Sequence, residues 1–246
     1  MSFNAVPNFY FKPAHREGMI SLKIELISFT PNPEKVVAAA ARLCYSEDSA
    51  MDIMTGLSQE KIKSFLKKLL EMGHLSPFEH ANFTFAVEGV SRALTHQLVR
   101  HRIASYSQKS QRYVSEASFE YIIPPSILKN EKALKSYREI MERIRDAYRE
   151  LDGLVPREDA RYVLPNACET KIVCTFNARS LLNFFRLRCC ERAQWEIREL
   201  AHIMLEKVRE AAPLLFQYAG APCEVDGRCP EGDLSCGKIA QLKNKK

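Results

Sequence analysis

Three short segments of the chain alternate apolar and polar side chains, and longer stretches with helical periodicity separate them. The alternating segments are SLKIELISF from Ser21, FTFAVEG from Phe83 and ETKIVCTF from Glu169. A period of two is typical of a β-strand with one buried face. Because these strands do not alternate regularly with helices along the chain, the pattern predicts an α+β fold with a single domain, in which an antiparallel sheet packs with long helices.

Capping and helix-breaking residues mark the ends of several amphipathic helices. Asn32 before Pro33 predicts one helix start, Asn177 predicts another, and Gly73 predicts a helix end. The helices predicted in this way cover residues 33–43, 58–72, 131–151, 156–165, 178–188 and 192–215. FEYIIP (119–124) predicts a further short strand, whereas the polar stretch that ends at Gln111 predicts irregular structure after a short helix from Ser91.

The composition favours a cytoplasmic protein. With 46% apolar and 27% charged residues among 246, the chain can form one substantial core. It has no apolar run of the roughly 20 residues that cross a bilayer, and residues 1–20 carry charges and prolines where a signal peptide is apolar. Eight cysteines are too few for a disulfide scaffold. We therefore expect no membrane partner, and we interpret residues 1–20 as an N-terminal extension.

The window from Ser91 to Tyr113 is strongly basic and contains no Asp or Glu. Its arginines and amide side chains suit the recognition of phosphates and heterocycles. Arg100, His101 and Arg102 are consecutive, so on a helix they point about 100° apart and cannot all hold one group. If all three are functional, they lie between two ligands. The alternative is a solvated basic helix end.

A second cluster of polar side chains lies in FNARSLLNFFRLR (176–188). Arg179 and Asn183 are four residues apart and share a helix face. Arg188 follows about 140° further round the helix, so it serves a different site or a different subunit. An amphipathic helix with its arginines in water is the alternative interpretation.

The string RHRIASYSQKS (100–110), continued by Arg112 and Tyr113, resembles the signature of the flavin-dependent thymidylate synthases. Three other stretches are similar to that family: GHLSPFEH (73–80), VPREDARYVLP (155–165), and FNARSLLNFFRLR with AQWEI (176–197). The resemblance is collinear over roughly residues 21–220, which makes it more specific than one short motif. It predicts a catalytic domain over 21–220 and a cysteine-containing C-terminal tail over 221–246.

The resemblance implies an enzyme that makes dTMP from dUMP. The carbon would come from methylenetetrahydrofolate, FAD reduced by NADPH would carry the hydride, and tetrahydrofolate would be the product. The family is described as working without a cysteine nucleophile, as a homotetramer whose sites lie at subunit junctions. No nucleic-acid partner is implied.

Site residues are carried over only where this sequence matches the family motifs. The implied FAD contacts are His74, Ser76, Arg100, His101, Arg102, Gln108, Asn177, Ala178, Arg179 and Asn183. The implied dUMP contacts are Gln97, Leu98, Val99, Arg100, Gln108, Lys109, Ser110, Gln111, Arg112, Arg161 and Arg188. Gln108 stands where some members carry an acid, and Arg192 where some carry a histidine; either change could alter flavin contacts.

Arg188 is the predicted catalytic residue. A guanidinium against the N3/O2 edge of the pyrimidine favours the anionic ring and so raises electron density at C5. Ser110 has no legible Asp–His relay beside it, so we assign it to binding. Tyr113 and Trp195 are interpreted as core residues.

Two other functions compete with this interpretation. A nucleic-acid-binding protein could use the acid-free window as a phosphate-binding patch, in line with the net charge of +6. An ordinary thymidylate synthase would depend on one cysteine. Cys223, Cys229 and Cys236 lack the CxxC spacing of compact zinc sites, so we predict no metal.

Overall fold

A computed structural model describes residues 20–243 of the protein. The predicted N-terminal extension lies outside the described residues apart from Ile20. The boundaries predicted at residues 20 and 220 stay predictions.

The described residues form one four-stranded sheet flanked by helices. The strands are β1 (Lys23–Phe29), β2 (Asn82–Ser91), β3 (Ala104–Gln108) and β4 (Glu169–Asn177). They lie in the order β1-β2-β4-β3, and every neighbouring pair is antiparallel. The predicted α+β class with an antiparallel sheet is therefore confirmed.

Most of the helices match the predicted segments. They are α1 (Pro33–Leu43), α2 (Ala50–Gly56), α3 (Gln59–Met72), α4 (Arg92–Leu98), α5 (Pro125–Leu128), α6 (Glu131–Asp152), α7 (Arg157–Ala160), α8 (Ala178–Arg188), α9 (Trp195–Ala211), α10 (Pro213–Phe216), α11 (Pro222–Val225) and α12 (Lys238–Lys243). Short 3₁₀ turns cover Ser76–His80, Arg161–Val163 and Gly232–Leu234. The single helix predicted over 192–215 is divided, because Pro213 starts a new one.

One local prediction is wrong, and another is confirmed only for the position of the helix start. FEYIIP makes only an isolated bridge from Tyr121 to Cys168, because Pro124 and Pro125 have no N–H with which to extend a ladder. Asn32 precedes α1 but does not cap it through its side chain; its backbone is left-handed, with φ 48°, and its carbonyl accepts from Lys35 N. By contrast, Asn177 Oδ1 accepts from Ser180 N at 2.8 Å and caps α8 as predicted.

The main core lies between one face of the sheet and helices α8 and α9. Phe83 and Phe85 of β2 and Phe176 of β4 are fully buried there together with Phe184 and Phe185 of α8. Neighbouring rings meet edge-on or tilted at 5.7 to 5.8 Å. This packing fixes α8 against the sheet, so the side chains on its outer faces have defined positions relative to β3.

A glycine-dependent bulge interrupts β2. Gly89 has φ +73°, and the pairing with β4 shifts register between Val87 and Val90. A Cβ atom at Gly89 would lie 2.4 Å from the carbonyl oxygen of Ser21. Glycine is therefore required here both for its backbone angle and for the close approach of the chain before β1.

Helix α6 stands partly apart from the main core. Its Met141 packs with Phe119 and Cys168 in a second, smaller apolar cluster. None of the helices in residues 20–243 combines the length and the apolar character that crossing a bilayer requires.

Candidate active site

A cavity of about 600 Å³ lies beside the start of α8. Four parts of the chain contribute to its wall: the end of α3 and the following 3₁₀ turn, the turn between α4 and β3, the first turns of α8, and the segment around α11. The lining residues are Leu70, Leu75, Glu79, His101, Arg102, Ile103, Arg179, Ser180, Leu182, Asn183, Arg186, Tyr218, Ala219, Gly220, Val225 and Asp226. The volume is within the range of small-molecule and cofactor sites.

The turn between α4 and β3 carries the Arg-His-Arg triplet and is held from inside by Tyr106. The Tyr106 hydroxyl lies 2.9 Å from the Leu98 carbonyl and 2.7 Å from the His101 carbonyl and donates to this pair. Burial raises the pKa of this hydroxyl, which keeps it a donor at neutral pH. The backbone that presents His101 and Arg102 to the cavity is thereby fixed.

Ile103 ends this turn in a strained conformation. It has φ 62°, which is unusual for a β-branched residue, and the residue is 74% exposed. Ser180 of α8 donates its hydroxyl to the Ile103 carbonyl at 3.1 Å. The strain lies at the cavity wall, where the rest of the fold holds it in place.

Replacing Ile103 with Asn should stabilise the protein by about 1 kcal/mol, because Asn tolerates the left-handed region and Ile103 buries little surface. Urea unfolding of the two proteins measures this difference. Ile103→Val, which keeps the β-branch, is the control and should unfold like the wild type. Equal or lower stability of Ile103→Asn would contradict the assigned strain.

The first turns of α8 bring the predicted flavin side chains to the cavity. Arg179 and Asn183 both line it, so their shared face is confirmed. Arg179 pairs with Glu79 at 2.7 Å, and Arg186 pairs with Asp226 at 2.6 Å. Both pairs are about half exposed, so an incoming anion can compete for either guanidinium.

Arg188 lies on another side of α8 and contacts the triplet rather than lining the cavity. Its Nε donates to His101 Nε2 at 2.9 Å. Burial, with a smaller contribution from the Arg188 charge, lowers the pKa of His101 to about 4. The imidazole is therefore neutral at physiological pH.

The Gln108–Arg112 segment lies at the opposite end of β3 from the cavity. At about 3.3 Å per residue, Ala104 and Gln108 are about 13 Å apart. Gln108 Nε2 donates to Thr95 Oγ1 (3.0 Å) and Thr170 Oγ1 (3.2 Å). The predicted dUMP side chains of this segment are thus separated from the cavity by the length of the strand.

Ion pairs and hydrogen bonds organise the rest of this segment. Lys109 Nζ lies 2.9 Å from the carboxylate of Glu116, which is only 2% exposed. Ser110 Oγ accepts from Arg112 N at 3.2 Å, and the Arg112 guanidinium pairs with Glu158 at 3.0 Å. These contacts tie the turn after β3 to Glu116 and Glu158, with Arg112 at its surface.

The remaining predicted site residues differ in accessibility. His74, Ser76, Val99 and Arg100 are exposed, and Gln97, Ser110, Arg161 and Asn177 are partly buried. Leu98 and Ala178 are fully buried, so only their backbones can reach a ligand. Gln111 is buried and donates to Cys168 Sγ at 3.6 Å, and Arg161 Nε donates to the Glu158 carbonyl at 3.1 Å.

The buried cysteines are poor nucleophiles. Cys168, Cys174 and Cys189 are fully buried, and burial raises the pKa of each thiol to about 12. A thiol, rather than the reactive thiolate, is present at neutral pH. Within residues 20–243, no three His, Cys, Asp or Glu side chains come together as a possible metal site.

Several lining residues were not predicted from the sequence. Glu79 and Arg186 were quoted only within motifs. Tyr218 and Asp226 had no signal in the sequence, because their place in the wall depends on how the C-terminal segment folds back. Tyr113 is 74% exposed, so its interpretation as a core residue is wrong.

The sequence is similar to a family of known proteins over most of its length. The family model described as "Thymidylate synthase complementing protein" matches residues 25–214. A flavin-dependent thymidylate synthase of Clostridium tetani is 54% identical over 245 residues, covering 93% of this chain and 98% of the relative. Proteins of the same name from Geobacter sulfurreducens and Pyrococcus furiosus are 53% and 41% identical, over 90% and 87% of this chain and 97% and 91% of theirs.

Proposed function

The chain belongs to the Thy1 family of thymidylate synthase complementing proteins, and we propose that it is a flavin-dependent thymidylate synthase. It converts dUMP to dTMP with methylenetetrahydrofolate as the carbon donor and releases tetrahydrofolate. The observation that supports this function is the cavity between the Arg-His-Arg turn and the start of α8. Residues of RHRIASYSQKS (100–110) and of FNARSLLNFFRLR (176–188), two motifs of the resemblance, line this one cavity.

The cavity wall suits FAD chemically. Leu75, Ile103 and Leu182 offer apolar surface for a ring system, while Arg102 and Arg179 offer guanidinium groups for phosphates. We assign the flavin contacts to the residues predicted for them other than His101, whose imidazole is bonded to Arg188, with Arg102, Arg179 and Asn183 at the centre. When bound and reduced by NADPH, FAD supplies the hydride that no side chain can provide.

Arg188 is assigned the catalytic role. Partial burial lowers its pKa from the ordinary value, but arginine remains cationic at neutral pH. With Nε bonded to His101, the two terminal nitrogens can donate to the N3/O2 edge of the pyrimidine. The positive charge then favours the anionic ring and activates C5 without a covalent thiolate.

The Gln108–Arg112 segment and Arg161 are assigned to dUMP. Arg112 is paired with Glu158 at the surface, and such exposed pairs are worth at most about 1 kcal/mol. A nucleotide phosphate can therefore displace Glu158 from the guanidinium. Lys109 forms an ion pair with the buried carboxylate of Glu116. This pair fixes the position of the segment, and Lys109 also adds positive charge to the nucleotide site.

We assign a homotetramer in which neighbouring subunits complete each site. Large apolar side chains are exposed near the Arg112–Glu158 pair, namely Tyr113 (74%), Leu154 (72%) and Tyr162 (83%). A second copy would bury this surface. Its Gln108–Arg112 segment would then lie beside the cavity of the first copy, which the first copy's own segment is too distant to reach. We assign a reducing, cytoplasmic location from the sequence, because eight cysteines in 246 residues are too few for a disulfide scaffold.

The test of this function is a spectrum of protein purified without added cofactor, followed by titration with dUMP. We expect flavin absorbance and a shift of the flavin bands when dUMP binds, with dTMP formed once NADPH and methylenetetrahydrofolate are present. A colourless protein that binds RNA with a steep salt dependence would instead support the nucleic-acid-binding alternative.

Replacing Arg179 with Ala should weaken FAD retention by about 10- to 100-fold, because a charged hydrogen bond to phosphate is lost. Dialysis followed by measurement of the flavin that remains bound gives this value. Arg143→Ala, which removes an exposed arginine of α6, is the matched control and should retain FAD fully. Equal retention by both variants would remove Arg179 from the cofactor site.

A further inference from the structure

Arg188 forms a hydrogen bond through Nε to His101, a residue that the resemblance assigns to FAD. Arg188 Nε lies 2.9 Å from His101 Nε2, although the two residues are 87 positions apart. A guanidinium Nε–H can only donate, so Nε2 of His101 must be an unprotonated acceptor. The imidazole proton is then on Nδ1, and this tautomer is the one that the contact requires.

Packing, a backbone hydrogen bond and burial hold His101 in place. Its ring packs edge-to-face with Phe184, with ring centroids 4.9 Å apart and an interplanar angle of 84°. Tyr106 donates to the backbone carbonyl of His101, as described above, and the whole residue is only 8% exposed. The imidazole therefore has little freedom to turn away from Arg188 or to present Nε2 to another partner.

The direction of the hydrogen bond leaves the reactive edge of Arg188 available. Among the described residues, Arg188 makes its side-chain hydrogen bond through Nε. The two terminal nitrogens take no part in that bond. Fixing Nε sets the plane and direction of the guanidinium, and the terminal pair can then form a bidentate contact.

We propose that His101 is a positioning residue for Arg188, which acts through its neutral Nε2 rather than by direct contact with the flavin. This inference rests on the proposed function, since it concerns the alignment of Arg188 with the pyrimidine. Both Arg102 and His101 line the cofactor cavity, but their roles differ: Arg102 offers its charge to the cofactor, whereas Nε2 of His101 orients the catalytic arginine.

The test compares three substitutions of His101 that differ in whether the new side chain has a hydrogen-bond acceptor and in how far that acceptor extends. His101→Phe keeps a ring against Phe184 but has no acceptor. His101→Gln can place its amide oxygen near the position of Nε2, whereas His101→Asn reaches only the position of Nδ1. For each variant, dTMP formation at saturating dUMP, NADPH oxidation by the bound flavin, and FAD content per subunit are measured.

We expect His101→Phe and His101→Asn to keep their FAD content and NADPH oxidation while dTMP formation falls by about 100-fold, the cost of a misplaced catalytic group. His101→Gln should retain at least about 10-fold more dTMP formation than His101→Asn. In an Arg188→Ala background, His101→Phe should cause no further loss, because the two residues act as one unit.

Other outcomes overturn the role. If His101→Phe loses FAD content and NADPH oxidation together with dTMP formation, His101 contacts the flavin directly. If His101→Phe lowers dTMP formation further in the Arg188→Ala background, the two residues act independently. A wild-type protein without flavin or dTMP formation would instead overturn the proposed function. Independently of folding or turnover in the variants, ¹⁵N NMR of the wild-type protein should show His101 as the Nδ1–H tautomer, and an Nε2–H tautomer would refute the contact.

Discussion

Replacing Arg188 with Ala should lower dTMP formation by at least about 1,000-fold, because the charge that activates C5 is lost from a partly desolvated site. The same variant should oxidise NADPH through its bound flavin at close to the wild-type rate, since Arg188 does not line the flavin cavity. Steady-state assays of the two activities, run on the same preparation, measure the separation between them.

Arg188→Lys is the matched comparison for this prediction. Lysine keeps the positive charge but lacks both the Nε that donates to His101 and the planar pair of terminal nitrogens. We expect it to recover only a small part of the lost turnover. If Arg188→Ala keeps dTMP formation within a few-fold of the wild type, the catalytic role assigned to Arg188 is wrong.

Replacing Gly89 with Ala should destabilise the protein by about 3 kcal/mol or more, from backbone strain together with overpacking. The added Cβ would lie 2.4 Å from the Ser21 carbonyl oxygen, at a backbone φ of +73°. Relieving that overlap also disturbs the hydrogen bond from Gly89 N to Glu169 Oε1, which is 3.0 Å long and buried. Chemical unfolding followed by circular dichroism gives the difference in free energy.

Gly56→Ala provides the control for a glycine without these constraints. Gly56 lies in the last turn of α2, and an added Cβ would meet no atom within 4 Å. We expect its free energy of unfolding to change by less than about 0.5 kcal/mol, or to rise slightly. Equal stability of the Gly89 and Gly56 variants would mean that the bulge in β2 can relax at low cost.

The elements with strong hydrophobic periodicity could be predicted from the sequence. β2 and β4 alternate buried positions with more exposed ones over most of their length, and β1 does so around Ile24. Helices α3 and α6 have continuous apolar faces with capping residues before them. β3 was missed, because ASYSQ has mostly small polar side chains and owes its conformation to pairing with β4. Pairing of this kind is a tertiary effect that a local pattern does not contain.

The candidate site was predictable to the extent that its residues fall within motifs. The shared face of Arg179 and Asn183, and the separation of Arg188 from both, follow from the 3.6-residue period of the helix. The bond between Arg188 and His101 and the cavity wall around Asp226 could not be predicted, because each joins segments that are distant in sequence. Tyr113 was misplaced for a related reason: its exposure depends on how the loop after β3 meets α7.

In the proposed reaction the flavin, and not the folate, supplies the hydride, and no cysteine thiolate attacks the pyrimidine. The source of the hydride is tested most directly by identifying the folate that is formed together with dTMP in an NADPH-driven reaction. We expect tetrahydrofolate in an amount equal to dTMP, because the hydride comes from the flavin. Dihydrofolate in that amount would show that the folate is the reductant and would contradict the account.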